Sequence, residues 1–76
     1  MPIRSLGVIA AEISADWQKP YFAAVPYLKA MRTLGSTNDN YGLDSGGSIV
    51  SYFLANAQTW RGDTARRVKA ELRTMI

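Results

Sequence analysis

The chain has no cysteine and no histidine. The first absence rules out a disulfide framework and thiolate metal sites. Together the two absences exclude zinc sites of the usual kind and His- or Cys-based catalysis. Long apolar runs are also missing. Charged or turn residues interrupt every hydrophobic stretch, so no segment approaches a membrane span. The opening residues Met1-Pro2-Ile3-Arg4 lack the apolar run of a signal peptide, which makes a cytoplasmic location the expectation. Internal repeats and low-complexity tracts are absent, and strand signals are essentially so.

What is present is short and apolar enough to fold. Seventy-six residues form one domain at most, taken as residues 1–76. An apolar fraction of 47% is that of an ordinary globular protein, and eight aromatic residues can each bury a large area. A chain of this size nevertheless buries only a modest fraction of its surface. Pairing of two copies would enlarge the core, so a homo-oligomer is expected.

The periodicity predicts helices throughout. Ser5 is placed to cap a first helix whose Leu6, Ile9, Ala10, Ile13 and Trp17 share one face, with Glu12, Ser14 and Asp16 off it. Gly7 weakens its first turn slightly. Pro20 and Pro26 punctuate the next stretch. Proline suits a first helical turn and breaks an interior, so residues 20–24 read as a short turn and a second helix opens at Pro26 and runs to about Leu34. One kinked helix is the alternative. Tyr27, Leu28, Met31 and Leu34 form the buried stripe, and Gly35 is expected to stop the helix in the left-handed conformation. Residues 35–44 (GSTNDNYGLD) are the one real loop, with Tyr41 and Leu43 expected to pin it to the core. Asp44 or Ser45 caps the third helix. Its broad apolar arc of Ile49, Val50, Phe53, Leu54, Ala57 and Trp60 implies a central position, and Gly46 and Gly47 allow close approach at its start. Gly62 and Asp63 open the fourth, with Ala65, Val68, Leu72 and Met75 as its seam. The predicted fold is all-α: a small antiparallel bundle of four helical segments.

Charge is distributed unevenly. The formal net charge is +3. Residues 1–60 carry four cations and four anions, whereas residues 61–76 carry five cations and two anions. Setting Ala65 at zero on a helical wheel puts Lys69, Arg73 and Arg66 at about 40°, 80° and 100°, one stripe beside the apolar seam. Arg67 lies on the far side, four residues from both Asp63 and Glu71, and is expected to be neutralised within the helix. The stripe of Arg66, Lys69 and Arg73, with Arg61 at the helix start, suits a row of phosphates or an acidic protein surface. The plainer reading is a solvated face whose cations favour the helix C-terminus. Tyr52 and Asn56 flank the apolar arc of the third helix and are the first choice for a partner surface, since tyrosine is enriched at interfaces.

Other patterns carry less. A helix-turn-helix spanning the last two helices has glycine in its turn, but Asp63 and Thr64 stand where base-reading side chains belong. Arg61-Gly62-Asp63 matches the integrin-binding tripeptide, yet falls at a helix start rather than a loop tip. Asn38, Asp39, Asn40 and Asp44 fail calcium-loop spacing. Glu12 and Asp16 remain surface charges, and no base and nucleophile pair is visible, so the chain reads as a non-enzyme without a cofactor. Attachment to a membrane surface through the fourth helix is disfavoured by its narrow seam and lack of aromatics.

Residues Pro26-Tyr27-Leu28-x-Ala30-Met31, Tyr41-Gly42-x-Asp44, Ile49-Val50-x-Tyr52-Phe53-Leu54-x-Asn56-Ala57 and Trp60-Arg61-Gly62-x-x-Ala65-x-x-Val68-Lys69-x-Glu71-Leu72 carry a resemblance. The pattern resembles short hypothetical proteins encoded by tailed phages and prophages, over most of the chain from about Ile9. The Trp-Arg-Gly segment is its most distinctive part. The resemblance implies a viral or mobile-element context and transfers no functional residue. The expected function is a non-enzymatic interaction protein that binds a host or phage protein. The alternative is a nucleic-acid-binding accessory protein using the basic C-terminal helix.

The small core generates a prediction. Sedimentation velocity over a concentration series should show self-association. A fully helical, highly stable monomer persisting at high concentration is the result that would remove it.

Overall fold

A computed structural model describes residues 4–76, so the expectation about the amino-terminal signal, which includes Met1 to Ile3, lies partly outside the described residues. Helix α1 spans Leu6–Asp16. Ser5 caps it as predicted: its hydroxyl accepts from the Val8 N–H at 3.1 Å. The next two orphan donors are satisfied from another part of the chain. Leu6 and Gly7 N–H groups donate to the carbonyls of Gly35 and Leu34 at 3.1 and 3.0 Å. This backbone docking is why residue 7 is glycine, since a Cβ there would sit 2.9 Å from the Arg32 carbonyl oxygen. Gly7 is therefore a contact point as well as a propensity defect.

A 3₁₀ turn, Phe22–Ala24, leads directly into α2, Val25–Arg32. Pro26 sits in the first turn of α2, where its missing N–H leaves no hydrogen bond unmade. The helix ends two residues earlier than expected. Thr33 closes it by donating its hydroxyl to the Ala30 carbonyl at 2.8 Å. Gly35 is not left-handed; positive φ among the described residues is confined to Gly42 and Gly62. Its N–H instead donates to the Asp39 carboxylate at 2.9 Å, alongside that of Ser36 at 3.2 Å. The acidic side chain in the loop thus organises a turn, which accounts for Asp39 without a calcium ion.

The loop contains a strand pair that the sequence does not signal. Strands β1 (Asn40–Tyr41) and β2 (Asp44–Ser45) pair antiparallel, with Asn40 opposite Ser45 and Tyr41 opposite Asp44. Gly42, at φ 63°, takes the first turn position, where a type II′ hairpin requires glycine. The architecture is therefore mostly helical with a small two-stranded ribbon, rather than purely all-α. Tyr41 and Leu43 do not pin this ribbon to the core. Leu43 is fully exposed at the tip and Tyr41 is 49% exposed.

Ser45, at the end of the ribbon, caps α3 (Gly46–Ala55) by accepting from the Ser48 N–H at 3.1 Å. The first N–H groups of α3 donate back into the loop, Gly46 to Asp39 at 2.6 Å and Gly47 to Thr37 at 3.1 Å. Helix α4, Asp63–Arg73, follows Gly62. Helix α2 packs against α1 and α3, and α1 packs against α4. The Cα atoms span 30 × 29 × 18 Å, so the short dimension holds two layers of helix. The predicted apolar faces supply the core: Leu6, Ile9, Ile13, Met31, Val50, Phe53, Val68 and Leu72 are its largest fully buried side chains. Trp17, Phe53 and Trp60 meet at one edge of it, where Trp60 also reaches the surface. The two indoles stack with centroids 5.9 Å apart, and Phe53 approaches both edge-on.

Two adjacent glycines give opposite predictions. A Cβ on Gly46 would lie 2.5 Å from the Ser36 carbonyl oxygen and 2.9 Å from the Thr37 Cα. Gly46→Ala should destabilise the protein by about 1–3 kcal/mol, as overpacking does. A Cβ on Gly47 meets its nearest neighbour at 3.8 Å. Gly47→Ala should be neutral or stabilising by up to about 1 kcal/mol. Urea unfolding of both variants checks the pair, and equal effects would contradict the close approach of the Ser36–Thr37 backbone to Gly46.

Candidate binding surfaces

Helix α4 places its cations by its own buried seam. Ala65, Val68 and Leu72 are buried, which turns Arg66, Lys69 and Arg73 along one flank. Gly62, at φ 112° and ψ 179°, makes the turn from Trp60-Arg61 into the helix in a conformation that side-chain-bearing residues rarely adopt. The turn brings Arg61 to the same flank. Trp60, Arg61, Gly62, Ala65, Arg66, Lys69 and Arg73 together line a shallow groove of about 280 Å³. The four cations predicted from the sequence thus converge, and no carboxylate lines the groove.

Lys69 is the inner cation. Its ammonium donates to the Trp60 carbonyl at 2.6 Å and lies 5.9 Å from the centroid of the Trp60 ring. Burial pushes its pKa below the ordinary lysine value, and the neighbouring charges of Arg73 and Arg61 push it further the same way. The Trp60 ring is only 2% exposed, so it forms the floor of the groove rather than an open stacking surface. Its indole N–H donates to Asp16 at 2.8 Å, which ties the floor to the end of α1.

The acidic residues of α4 are used differently from the expectation. Arg67 pairs across the helix interface with Glu12 of α1, and not with Asp63 or Glu71 along its own helix. Glu71 is taken by Arg4, which donates through Nε at 3.0 Å and through Nη2 at 2.5 Å in a fork geometry. Arg4 Nη1 also lies 2.8 Å from Glu12 Oε1. That contact is an ion pair without hydrogen-bond geometry, since Oε1 is buried and accepts no hydrogen bond among the described residues. Glu12 is therefore part of a four-residue bridge between α1 and α4 rather than a surface charge. Arg66 has no acidic residue four positions away on its helix, but Asp63, three residues earlier, lies at 3.8 Å. Both side chains are over 80% exposed, so the contact leaves Arg66 available.

The second predicted surface lies on the other side of the α3–α4 connection. Tyr52 is 46% exposed, with its ring centroid 5.4 Å from that of Tyr27. Asn56 donates its amide to the Tyr52 carbonyl at 2.8 Å. Beyond it, Tyr21, Ala55, Asn56, Gln58 and Thr59 line a groove of about 350 Å³ without a single charge. Tyr21 and Phe22 pair edge-on at its rim, and Phe22 is 78% exposed. Sequence reasoning counted these two aromatics without placing them. Their position just before Pro26, in a turn too short to bury both rings, is the signal that marks them.

No cluster of three or more metal-ligating side chains occurs among the described residues, and no helix is long and apolar enough to cross a membrane. Arg61-Gly62-Asp63 lies at the start of α4, as its sequence position implied. Comparison with known proteins finds no matching family profile, curated protein or solved structure.

The bridge between α1 and α4 sets a pH dependence. Arg67 and then Arg4 hold the Glu12 carboxyl below the usual carboxylate range, and Arg4 does the same for Glu71. Their stabilisation is complete above the unfolded carboxylate pKa, about 4.3. It is lost as pH falls through the lowered native values. Thermal unfolding from pH 7 downward should show this acid loss. Glu71→Gln should be less stable at neutral pH and lose less on acidification. An unchanged acid limb in the variant would count against the bridge.

Proposed function

We propose that this protein is a non-enzymatic interaction module, encoded by a phage or prophage, that binds a host or phage protein in the host cytoplasm. The observation that carries the reading is the uncharged second groove, lined by Tyr21 and Asn56, with the exposed Phe22 ring paired to Tyr21 and the half-exposed Tyr52 one helical turn before Asn56. Protein interfaces are enriched in aromatics and depleted of charge at their centre, and rigid aromatic side chains supply most hot spots. The carboxylates give no support to catalysis. Glu12 and Glu71 are held by arginines, Asp16 by the Trp60 indole and Asp39 by loop amides. Phage origin rests on the resemblance of the residue pattern alone, with no matching family, protein or structure behind it. The antiparallel, bundle-like packing of the four helices is part of the same reading, since it gives a small rigid scaffold with separate faces.

A second reading, a nucleic-acid-binding accessory protein, is favoured by one observation. Arg61, Arg66, Lys69 and Arg73 share a groove that no carboxylate lines. The two grooves share no lining residue, so the readings are separable by mutation.

Affinity capture from host lysate, with and without nuclease, tests the leading reading. A protein partner should survive nuclease and be lost from a Phe22→Ala, Tyr52→Ala double variant. Both side chains are exposed, so circular dichroism should show the fold intact. Capture undiminished by the double variant, or abolished by nuclease, would defeat the assignment of a protein partner to this face.

A further inference from the structure

We propose that the α4 groove seats the sugar–phosphate backbone of duplex DNA and grips it without regard to sequence. This rests on the nucleic-acid reading and specifies the form of nucleic acid and the mode of contact. Three observations lead to it. The first is spacing. Arg66 and Arg73 are seven residues apart on one flank, about 10 Å along the helix at roughly 1.5 Å per residue. One DNA strand advances about 3.4 Å per phosphate along the duplex axis, and further along the strand itself, so the stripe spans about two to three phosphates and its long side chains can engage three.

The second is the floor of the groove. Single strands are held by stacking their bases on exposed aromatic rings. Trp60 is the aromatic residue in the groove. It is buried against Trp17 beneath Lys69, and offers no free face. A duplex, whose bases are already stacked, needs no such platform. Lys69 uses one of its three donors on the Trp60 carbonyl, which fixes the ammonium within the groove while the other two donors remain. Crowding of Lys69 by Arg61 and Arg73 is unfavourable in the empty groove and is relieved by an anion.

The third is the opposite flank of α4. A helix inserted in the major groove meets phosphates on both sides. The far side of α4 carries Glu71 and, from α1, Glu12, with Arg67 and Arg4 already paired to them. Among the described residues, the cations of that flank are the two already bridged to carboxylates, so a second strand would have to compete with Glu12 and Glu71 for them. The side of α4 that carries Arg66, Lys69 and Arg73 is the better equipped for phosphate, so the helix lies along the backbone instead of entering the groove to read bases. The α4 sequence also lacks asparagine and glutamine, the adenine readers.

Fluorescence anisotropy at low salt, with two short duplexes of unrelated sequence and a single strand, tests the proposal. The duplex affinities should agree within about threefold, less than the roughly fivefold or more that one mismatch costs a sequence reader. The single strand should bind more weakly. The log–log salt slope should be roughly −2.7 for three engaged phosphates. Arg66→Gln and Arg73→Gln should each reduce its magnitude by about 0.9 and weaken both duplexes equally. Lys29→Gln, on α2, should change nothing. Absence of binding to any nucleic acid would overturn the nucleic-acid reading and this proposal with it. Binding that prefers one duplex tenfold or more (about 1.4 kcal/mol), prefers the single strand, or keeps its slope in both arginine variants would overturn the proposal alone. Amide NMR shifts on adding duplex supply an independent check, because they should fall on Arg61 and α4; shifts centred on Tyr21 and Asn56 would overturn it.

Discussion

Trp60 joins three of the four helices through one side chain and its backbone. Its ring stacks on Trp17 after α1 and meets Phe53 of α3, while its indole N–H is satisfied by Asp16. A buried indole without that partner would carry the desolvation penalty of an unmade hydrogen bond, about 1–3 kcal/mol. The carbonyl of the same residue holds Lys69, so the core residue that fixes α1 against α3 also sets the depth of the cationic groove on α4. Packing and electrostatics are therefore coupled at this residue: the position of the inner cation is inherited from the aromatic cluster beneath it.

Much of the remaining architecture depends on backbone meeting backbone. Gly7 and Gly46 each stand where a methyl group would strike a carbonyl, and in both places helix N-terminal amides are satisfied by carbonyls of the segment after α2. That segment, from Leu34 to Asp39, serves as the acceptor for two helix starts. Its polar composition reflects this service. Asp39 holds the turn with its carboxylate and receives α3 with its carbonyl. A loop that scores only as irregular in sequence is, in the fold, the seam between two helices.

The elements with strong periodicity were legible in advance. The face of α1 is buried as its spacing required, as are the arc of α3 except for the partly buried Leu54 and the seam of α4 except for the partly buried Met75, and Ser5 caps as its position required. The cationic groove was legible for the same reason, since helical geometry alone aligns Arg66, Lys69 and Arg73. What escaped depends on partners distant in sequence. Arg67 has two acids at ideal spacing on its own helix but pairs with Glu12, because α1 lies against that flank and the cross-helix pairs are less exposed. Nothing local distinguishes these choices. Gly35 has the composition of a left-handed stop, but the carboxylate of Asp39 supplies its N–H with a partner in another conformation. The hairpin is two residues long on each side, too short for any alternation to register, and its exposed Leu43 and Tyr41 imitate core residues by composition alone.

The Arg4–Glu71 pair spans 67 positions of a 76-residue chain. It brings the approach to α1 beside the last turns of α4. Ile76, nearby, would lie 3.8 Å from a Cβ on Gly47, and Gly47 in turn bonds to the loop next to the docked start of α1. The Arg4–Glu71 pair therefore closes a loop of nearly the whole described chain, so loosening the approach to α1 would be felt at the last turns of α4.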